Sequence, residues 1–232
     1  MAAIEDVLEA WQKSLCKQIP VGGLFSRNPV AHKWKAPWRL ILLREAIAWR
    51  LVDLLTQSTF LHKAQHVLGA RILVRSAFET LGMLIYSNQE MRQVVAGELD
   101  FHEFSTRTSQ LLLGSRDKST NVQAISILKV LQRADKRYPG LFAKYEVLCE
   151  SAHPNYEGVL VGYSVDNADS FETNFENRWN ALYGKTHLNS ITACMAAFDA
   201  EYNQEWPDAF EALEAWIETN DQALEASKLK SE

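Results

Sequence analysis

The sequence predicts an all-α protein, a single bundle of about seven or eight helices with one small β-hairpin inserted. Apolar residues recur every three or four positions along most of the 232 residues, which is the spacing of amphipathic helices. Proline, glycine and short polar clusters interrupt this spacing and mark the helix ends. One stretch, V-L-V-G-Y-S-V, alternates with period two instead, as a strand does. The chain has no internal repeat and no linker of low complexity, so we expect one domain over residues 1–232.

The helices can be placed in order from this pattern. Residues 19–37 contain three prolines and two glycines and are expected to be irregular, after which Pro37 begins a long helix. Thr59 is a suitable N-cap for the following helix, and Gly114 ends the one after that. The period-two stretch and the turn-forming D-N-A-D after it predict a hairpin over 159–174. The predicted helices cover residues 2–17, 37–57, 59–86, 90–113, 121–136, 139–153, 175–205 and 207–228.

Composition narrows the class of protein. With 47% apolar and 23% charged residues, the chain resembles ordinary globular proteins and is long enough to bury a core. No apolar run approaches the roughly 18 residues of a membrane span, so no membrane partner is expected. The start of the chain, M-A-A-I-E-D-V-L-E-A-W, resembles an acidic amphipathic helix rather than a signal peptide. Three widely spaced cysteines, Cys16, Cys149 and Cys194, favour reduced thiols, and we therefore expect a cytoplasmic protein.

Charge is distributed unevenly although the net charge is only −5. Residues 199–232 hold ten carboxylates against two lysines, as the solvated face of a C-terminal acidic helix would. Residues 27–39 hold four cations, no carboxylate and two interleaved tryptophans: Arg27, Lys33, Lys35 and Arg39, with Trp34 and Trp38. Cations with stacking aromatics fit a nucleic-acid surface. A connector whose tryptophans dock on the core while its lysines face water fits the same pattern, and we prefer that reading.

The clearest candidate site joins two predicted helices. Arg75 and Glu79 lie one turn apart in an apolar helix, so they should be partly buried and need partners. His153 lies at the end of another helix, which Pro154 terminates, and Asn155 follows it. We therefore expect His153 to lie within side-chain reach of Arg75 or Glu79. His153, Glu79 and Arg75 are the candidate catalytic residues, and Asn155 is a candidate substrate-binding residue.

The same residues allow a purely structural interpretation. Arg75 and Glu79 can form an intrahelical ion pair, although arginine before glutamate is the less favourable order. A histidine at a helix C-terminus is stabilised by the helix dipole, and Asn155 can hold the turn after Pro154. Cys149, four residues before His153, could form a thiolate–imidazolium pair with it, but a free cysteine is more often a small buried apolar residue.

Other motifs narrow the chemistry further. His62 and His66 have the spacing of a helical metal pair, but Lys63 replaces the glutamate of the H-E-x-x-H motif, so we expect two surface histidines and no metal site. The chain contains no G-x-x-x-x-G-K-[ST], no G-x-G-x-x-G and no G-x-S-x-G. P-loop, Rossmann and α/β-hydrolase chemistry are therefore disfavoured, and no cofactor is expected.

Two resemblances bear on function. R-N-P-V-A-H at 27–32 resembles the R-x-x-x-x-H motif of the HEPN superfamily, helical bacterial proteins that include many ribonucleases of toxin and phage-defence systems. The resemblance implies that Arg27 binds the scissile phosphate and His32 acts in acid–base chemistry at a dimer interface. Together with the two lysines of the basic segment, these residues extend the candidate substrate-binding set to Arg27, His32, Lys33 and Lys35. Pro29 departs from the family pattern, because the family motif lies on a helix of the bundle core.

The second resemblance covers roughly residues 65–165. R-S-A-F-E-T, L-L-L-G-S-R, N-V-Q-A-I and Y-E-V-L-C-E-S-A-H-P-N-Y-E-G together resemble an uncharacterised bacterial family of helical proteins near the HEPN fold. This resemblance marks Arg75, Glu79, His153 and Asn155 as signature positions and implies no mechanism.

Two functions of different classes remain open at this point. The first is a HEPN-like module that binds or processes RNA or a nucleotide, as a metal-independent ribonuclease if it is an enzyme. The second is a non-catalytic scaffold that acts through dimerisation or a protein partner. A metal-dependent hydrolase that uses His62 and His66 ranks third. An open polar cleft around His153 would favour a site, and a filled, hydrogen-bonded core would favour a scaffold.

Overall fold

The computed structural model describes residues 3–228 and confirms the all-α class with one small hairpin. Helix accounts for 76% of the chain and strand for 4%. The described residues form nine α-helices: α1 (Ile4–Ser14), α2 (Val21–Arg27), α3 (Lys35–Lys63), α4 (Val67–Val95), α5 (Phe101–Leu113), α6 (Ile127–Asp135), α7 (Leu141–Ala152), α8 (Trp179–Ala200) and α9 (Trp206–Lys228). None of these described helices combines the length and the apolar character needed to cross a membrane.

Eight of these helices correspond to the eight predicted ones, and α2 is the addition. It lies inside the segment 19–37 that was predicted to be irregular, and that part of the prediction is wrong. Pro20 precedes the first turn, where a missing N–H costs nothing, and so a short helix can begin despite the two glycines that follow. None of the seven residues of α2 is buried, which is why no apolar periodicity announced it.

The predicted hairpin is present but begins later than the sequence suggested. Strands β1 (Ser164–Asn167) and β2 (Glu172–Phe175) pair antiparallel, with Ser164 opposite Phe175. The first three residues of the V-L-V-G-Y-S-V stretch belong instead to a π-helical turn, Tyr156–Val161. The side chain of Asn155 caps this turn by accepting a hydrogen bond from the Gly158 N–H at 2.9 Å, so local capping overrides the period-two pattern.

The chain divides into two compact units, each assembled from three separate segments. Unit 1 contains residues 1–14, 49–81 and 135–197, and unit 2 contains residues 15–48, 82–134 and 198–232. Both ranges extend at one chain end beyond the described residues. Helices α3, α4 and α8 each contribute residues to both units, and the last residue of α6, Asp135, belongs to unit 1 while the rest of α6 belongs to unit 2. The expectation of a single domain stays a prediction.

Each unit has its own apolar core. In unit 1, Trp179 is buried and lies so close to Gly162 that a Cβ on that glycine would be 2.6 Å from the indole ring. Other fully buried members of unit 1 are Leu51, Leu55, Val74, Phe78, Leu81 and Ile191. The buried members of unit 2 include Leu40, Leu84, Ile85, Met91, Phe101, Phe104, Leu131, Leu213 and Ile217.

Candidate functional site

Arg75 and Glu79 form the predicted intrahelical pair in unit 1, with 3.1 Å between Nη2 and Oε1. Two side chains of α7 complete the network. Tyr145 donates its hydroxyl to Glu79 Oε1 at 2.9 Å and accepts from Arg75 Nη2 at 3.0 Å. Arg75 Nε lies 3.1 Å from Cys149 Sγ. Burial raises the pKa of Tyr145, and its hydrogen bonds to Cys149 and Glu79 raise the pKa further.

His153 does not join this network. Helix α7 ends at Ala152, and His153 then adopts extended backbone with ψ of 144° and an exposed side chain. Among the described residues, its ring makes no hydrogen bond or ion pair with Arg75, Glu79 or any other side chain. The partners of Arg75 and Glu79 lie instead four and eight residues earlier, at Cys149 and Tyr145. The expected contact between His153 and the Arg75–Glu79 pair is therefore not formed.

Asn155 has a structural task at the end of α7. Its Oδ1 accepts from the Gly158 N–H, and its Nδ2 donates to Glu150 Oε2 at 2.5 Å. The backbone N–H of Asn155 also donates to His153 O at 2.8 Å. These bonds hold the turn after Pro154, which is the structural alternative that the sequence left open for this asparagine.

His62 and His66 do not lie on one helix, because α3 ends at Lys63. His62 Nε2 is 2.7 Å from Gly184 O, and the His62 ring stacks on His187 with 5.2 Å between ring centroids. His66 is exposed. Within residues 3–228 no group of three or more His, Cys, Asp or Glu residues could hold a metal ion.

Sequence reasoning missed two buried polar residues in unit 1. Arg71 is 3% exposed, donates to Ser151 Oγ at 2.8 Å and stacks over the Tyr183 ring. His187 is completely buried, with Nε2 3.0 Å from Ser58 Oγ. Neither could be recognised in advance, because their partners lie on other helices and only the fold brings them together.

The R-N-P-V-A-H segment forms a charged cluster in unit 2. Arg27 is the last residue of α2, and Asn28 follows with Oδ1 accepting from the Ala31 N–H at 2.9 Å. This turn leads into a 3₁₀ turn, Ala31–Lys33, which directs His32 at α9. His32 Nε2 lies 2.7 Å from Glu214 Oε1, and Arg27 Nη2 bonds to the same oxygen.

Exposure differs sharply within this cluster, which we call the Glu214 cluster (Arg27, His32 and Glu214). The side chains of His32 and Glu214 are 2% and 8% exposed, whereas that of Arg27 is 56% exposed. Both ring nitrogens of His32 are buried and neither makes a hydrogen bond among the described residues, so Nε2 contacts Glu214 by distance alone. The cluster is therefore a buried histidine–carboxylate pair with a cation at the surface.

The next two residues also dock on α9, one turn or more further along. Lys33 Nζ lies 2.7 Å from Asp221 Oδ2 and 3.0 Å from Glu225 Oε1. Its hydrogen bonds to Asp221 and then Glu225 raise the pKa of Lys33. Trp34 is buried and donates from Nε1 to Asp221 Oδ1 at 3.0 Å. The acidic face of α9 thus neutralises much of the basic segment, so the docked connector that we preferred describes Lys33 and Trp34 better than a free basic surface does.

A cavity of about 200 Å³ opens beside the Glu214 cluster in unit 2. Its walls contain three of the predicted substrate-binding residues, His32, Lys33 and Lys35. Lys35 is exposed and makes no ion pair within the described part of the chain. The remaining walls are apolar or aromatic: Val21, Leu24, Phe25, Trp34 and Trp38. The cavity therefore combines an unpaired cation with aromatic rings.

Comparison of the chain with protein-family models, with curated proteins and with solved structures finds no match. The resemblance to HEPN proteins therefore stays a prediction that rests on the residues quoted for it.

Proposed function

We propose that this protein is a HEPN-like helical module that binds or processes RNA or a nucleotide at the cavity beside the Glu214 cluster. One observation carries the proposal: Arg27 and His32, five residues apart, both contact the same carboxylate oxygen of Glu214, Arg27 through a hydrogen bond and His32 at an ion-pair distance of 2.7 Å. That arrangement supplies an anion-binding group and an oriented imidazole at one place. A cytoplasmic location belongs to the same proposal, because all three cysteines are free thiols.

The chemistry follows from the position of the imidazole. Nε2 faces Glu214 Oε1 at 2.7 Å without forming a hydrogen bond, and the tautomer that carries its hydrogen on Nε2, beside the carboxylate, leaves a lone pair on Nδ1 that can accept a proton. The carboxylate orients the ring and stabilises the imidazolium that forms. In RNA cleavage, Nδ1 would take the proton of a ribose 2′-hydroxyl whose oxygen attacks the adjacent phosphate. The bond from phosphorus to the 5′-oxygen then breaks, the imidazolium gives its proton to that oxygen, and the products are a 2′,3′-cyclic phosphate and a 5′-hydroxyl. Arg27 would bind the phosphate through its planar guanidinium. No metal takes part in these steps.

Access to His32 requires movement, because its side chain is 2% exposed. Helix α2 covers this side of the cavity through Val21, Leu24 and Phe25. None of its residues is buried, so displacing it gives up little apolar contact. Phe25, which is 47% exposed, and Trp38 would then offer rings on which a base can stack.

Binding can be tested by fluorescence anisotropy with a labelled single-stranded RNA at low and moderate salt. We expect Lys35→Glu to weaken binding at least tenfold, and we expect binding to weaken as salt rises because phosphate contacts release counterions. Lys144→Glu is the matched control, since Lys144 is an exposed lysine of α7 in unit 1. Absence of binding even at low salt, for RNA and for mononucleotides, would remove this function.

Cleavage is tested separately with the same RNA in the presence of EDTA. We expect His32→Ala to abolish cleavage and Glu214→Gln to reduce it, with RNA affinity largely retained in both. If the wild-type protein binds the RNA but does not cleave it, the protein is an RNA-binding module and not a ribonuclease. Cleavage that survives His32→Ala would refute the role of this histidine.

The hairpin favours the second candidate function, a non-catalytic interaction protein. Phe171 is 96% and Phe175 80% exposed, and both strands have an unpaired edge. Four carboxylates and no cation lie in residues 164–176: Asp166, Asp169, Glu172 and Glu176. A second copy would bring like charges together, so the surface fits a strand of a partner protein that carries lysine or arginine among apolar residues.

This alternative has its own test. A synthetic peptide of alternating lysine and valine should bind the wild-type protein and lose affinity when Phe171 and Phe175 are both changed to serine. A peptide in which glutamate replaces lysine is the control. Equal binding of the two peptides, or equal binding by the double variant, would argue against a docking role for the hairpin.

A further inference from the structure

A second, larger cavity lies in unit 2 between the end of α5 and the start of α6. Its volume is about 860 Å³, and the loop of residues 114–126 forms most of its wall. None of the residues of the Glu214 cluster lines it, and neither does Lys35. Any ligand of this cavity is therefore independent of the function proposed above.

The charge of this wall has one sign. Arg116, Lys118 and Lys129 line the cavity, and no aspartate or glutamate does. The three cations make no ion pair among residues 3–228. The nearest carboxylate in sequence, Asp117, lies outside the wall and accepts instead from the Ser119 N–H at 3.1 Å. In a protein with a net charge of −5, three unpaired cations around one cavity form a local positive field that attracts an anion.

Neutral polar groups add hydrogen-bonding capacity between the cations. The amide side chains of Gln110, Asn121 and Gln123 also line the wall. Each carries two N–H donors that can reach phosphate oxygens. Lys118 adopts left-handed backbone with φ of 64°, a conformation that is unfavourable for lysine and is retained only where the surrounding loop enforces it.

The loop holds this shape through its own hydrogen bonds. Ser115 donates its N–H to Val122 O at 2.9 Å, and Ser115 Oγ accepts from the Thr120 N–H at 3.0 Å. A Cβ on Gly114 would lie 2.5 Å from Ala124 Cα, so the close approach of the two loop ends requires glycine there. A wall that is already ordered lowers the entropy cost of binding.

Size and composition together identify the class of ligand. A volume of about 860 Å³ accommodates a nucleotide-sized molecule. No aromatic side chain lines the wall, so a nucleobase would find no ring to stack on. We propose that this cavity binds a small molecule with two or more directly linked phosphate groups and recognises it through those phosphates. A free polyphosphate and the phosphate tail of a nucleotide share this chemistry.

Isothermal titration calorimetry at low salt, with sodium tripolyphosphate as the probe, tests the proposal. We expect one site, and we expect the double variant Arg116→Ala, Lys129→Ala to weaken binding at least tenfold. The variant Lys35→Ala should leave tripolyphosphate binding unchanged, which separates this site from the RNA site. Lys144→Ala controls for the general loss of positive charge. Circular dichroism melts verify that each variant is folded.

A second set of probes distinguishes the source of the phosphates. ATP should displace tripolyphosphate, whereas adenosine should not. The proposal is overturned if tripolyphosphate does not bind, if the double variant binds it as well as the wild type, or if adenosine displaces tripolyphosphate as well as ATP does. It is also overturned if a short single-stranded RNA, whose phosphates are not directly linked, displaces tripolyphosphate with comparable affinity.

Discussion

At the scale of single residues, His187 illustrates how unit 1 accommodates a buried imidazole. Ser58 donates its hydroxyl hydrogen to Ala70 O at 2.9 Å, so His187 Nε2 must carry a proton and donate to Ser58 Oγ. Nδ1 has no described partner and is kept from water. Burial, with smaller contributions from the charges of His62 and Arg71, lowers the pKa of His187 to about 4.

The stability of the protein should therefore fall between pH 6.5 and pH 4. In that range the unfolded chain protonates His187 and the folded protein does not, so stability present above pH 6.5 is lost as the pH approaches 4. Urea unfolding at pH 7 and pH 5 should show His187→Gln reducing the pH dependence by about 1–2 kcal/mol. His66→Gln, at an exposed histidine, is the matched control. If the free energy of unfolding depends on pH equally in the wild type and in His187→Gln, the buried His187 is not the group responsible.

Glu90 is the corresponding buried anion of unit 2. Its side chain is 1% exposed and accepts two hydrogen bonds from Arg107 Nη1, at 2.8 and 2.7 Å, and one from Arg133. Removing the carboxylate leaves two guanidinium groups facing a site without an anion. We therefore expect Glu90→Ala to lower the free energy of unfolding by about 3–5 kcal/mol, measured by chemical denaturation.

The control for this prediction is Glu103→Ala. Glu103 also pairs with Arg107, at 2.5 Å, but its side chain is 56% exposed, so its loss should cost less than about 1 kcal/mol. If both substitutions lower the free energy of unfolding by the same amount, burial does not determine how much Glu90 contributes to stability.

At the scale of elements, the junction from α7 to the hairpin depends on one glycine. A Cβ on Gly158 would lie 2.0 Å from His153 O, a backbone atom that cannot rotate away. Gly158→Ala must therefore open the turn that Asn155 caps. We expect it to lower the melting temperature by several degrees, in contrast to Gly22→Ala in α2, where no atom lies within 4 Å and alanine favours helix. If Gly158→Ala leaves the melting temperature unchanged, the turn can rearrange to accept the added methyl group.

How much the sequence could predict depends on the distance between partners along the chain. The Arg75–Glu79 pair follows from four-residue spacing on one helix, and the eight longer helices follow from their apolar periodicity. The Glu214 cluster joins residues 187 positions apart, so no local pattern indicates that the basic segment docks on α9. The predicted role of His153 depended on which helix faces pack together. Apolar periodicity identifies the buried face of a helix but does not indicate which other helix packs against that face.

At the scale of the whole molecule, the two units share their helices. Four of the five divisions fall inside helices, at residues 48/49 in α3, 81/82 in α4, 134/135 in α6 and 197/198 in α8. Neither unit is a continuous stretch of chain, and the segments of one alternate along the sequence with the segments of the other. We expect a single thermal transition in differential scanning calorimetry, with calorimetric and van't Hoff enthalpies in agreement. Two resolved transitions would contradict it.

The docking of the basic segment on α9 also has a consequence during synthesis. Arg27 leaves the ribosome 187 residues before Glu214, the residue that neutralises it. At about 5–20 residues per second, the segment waits roughly 10–40 s for its acidic partner. Throughout that interval Arg27 and Lys33 have no α9 carboxylates beside them, in a nascent chain surrounded by ribosomal RNA. Helix α9, made long after the basic segment, is therefore the helix that withdraws these cations from competing anions.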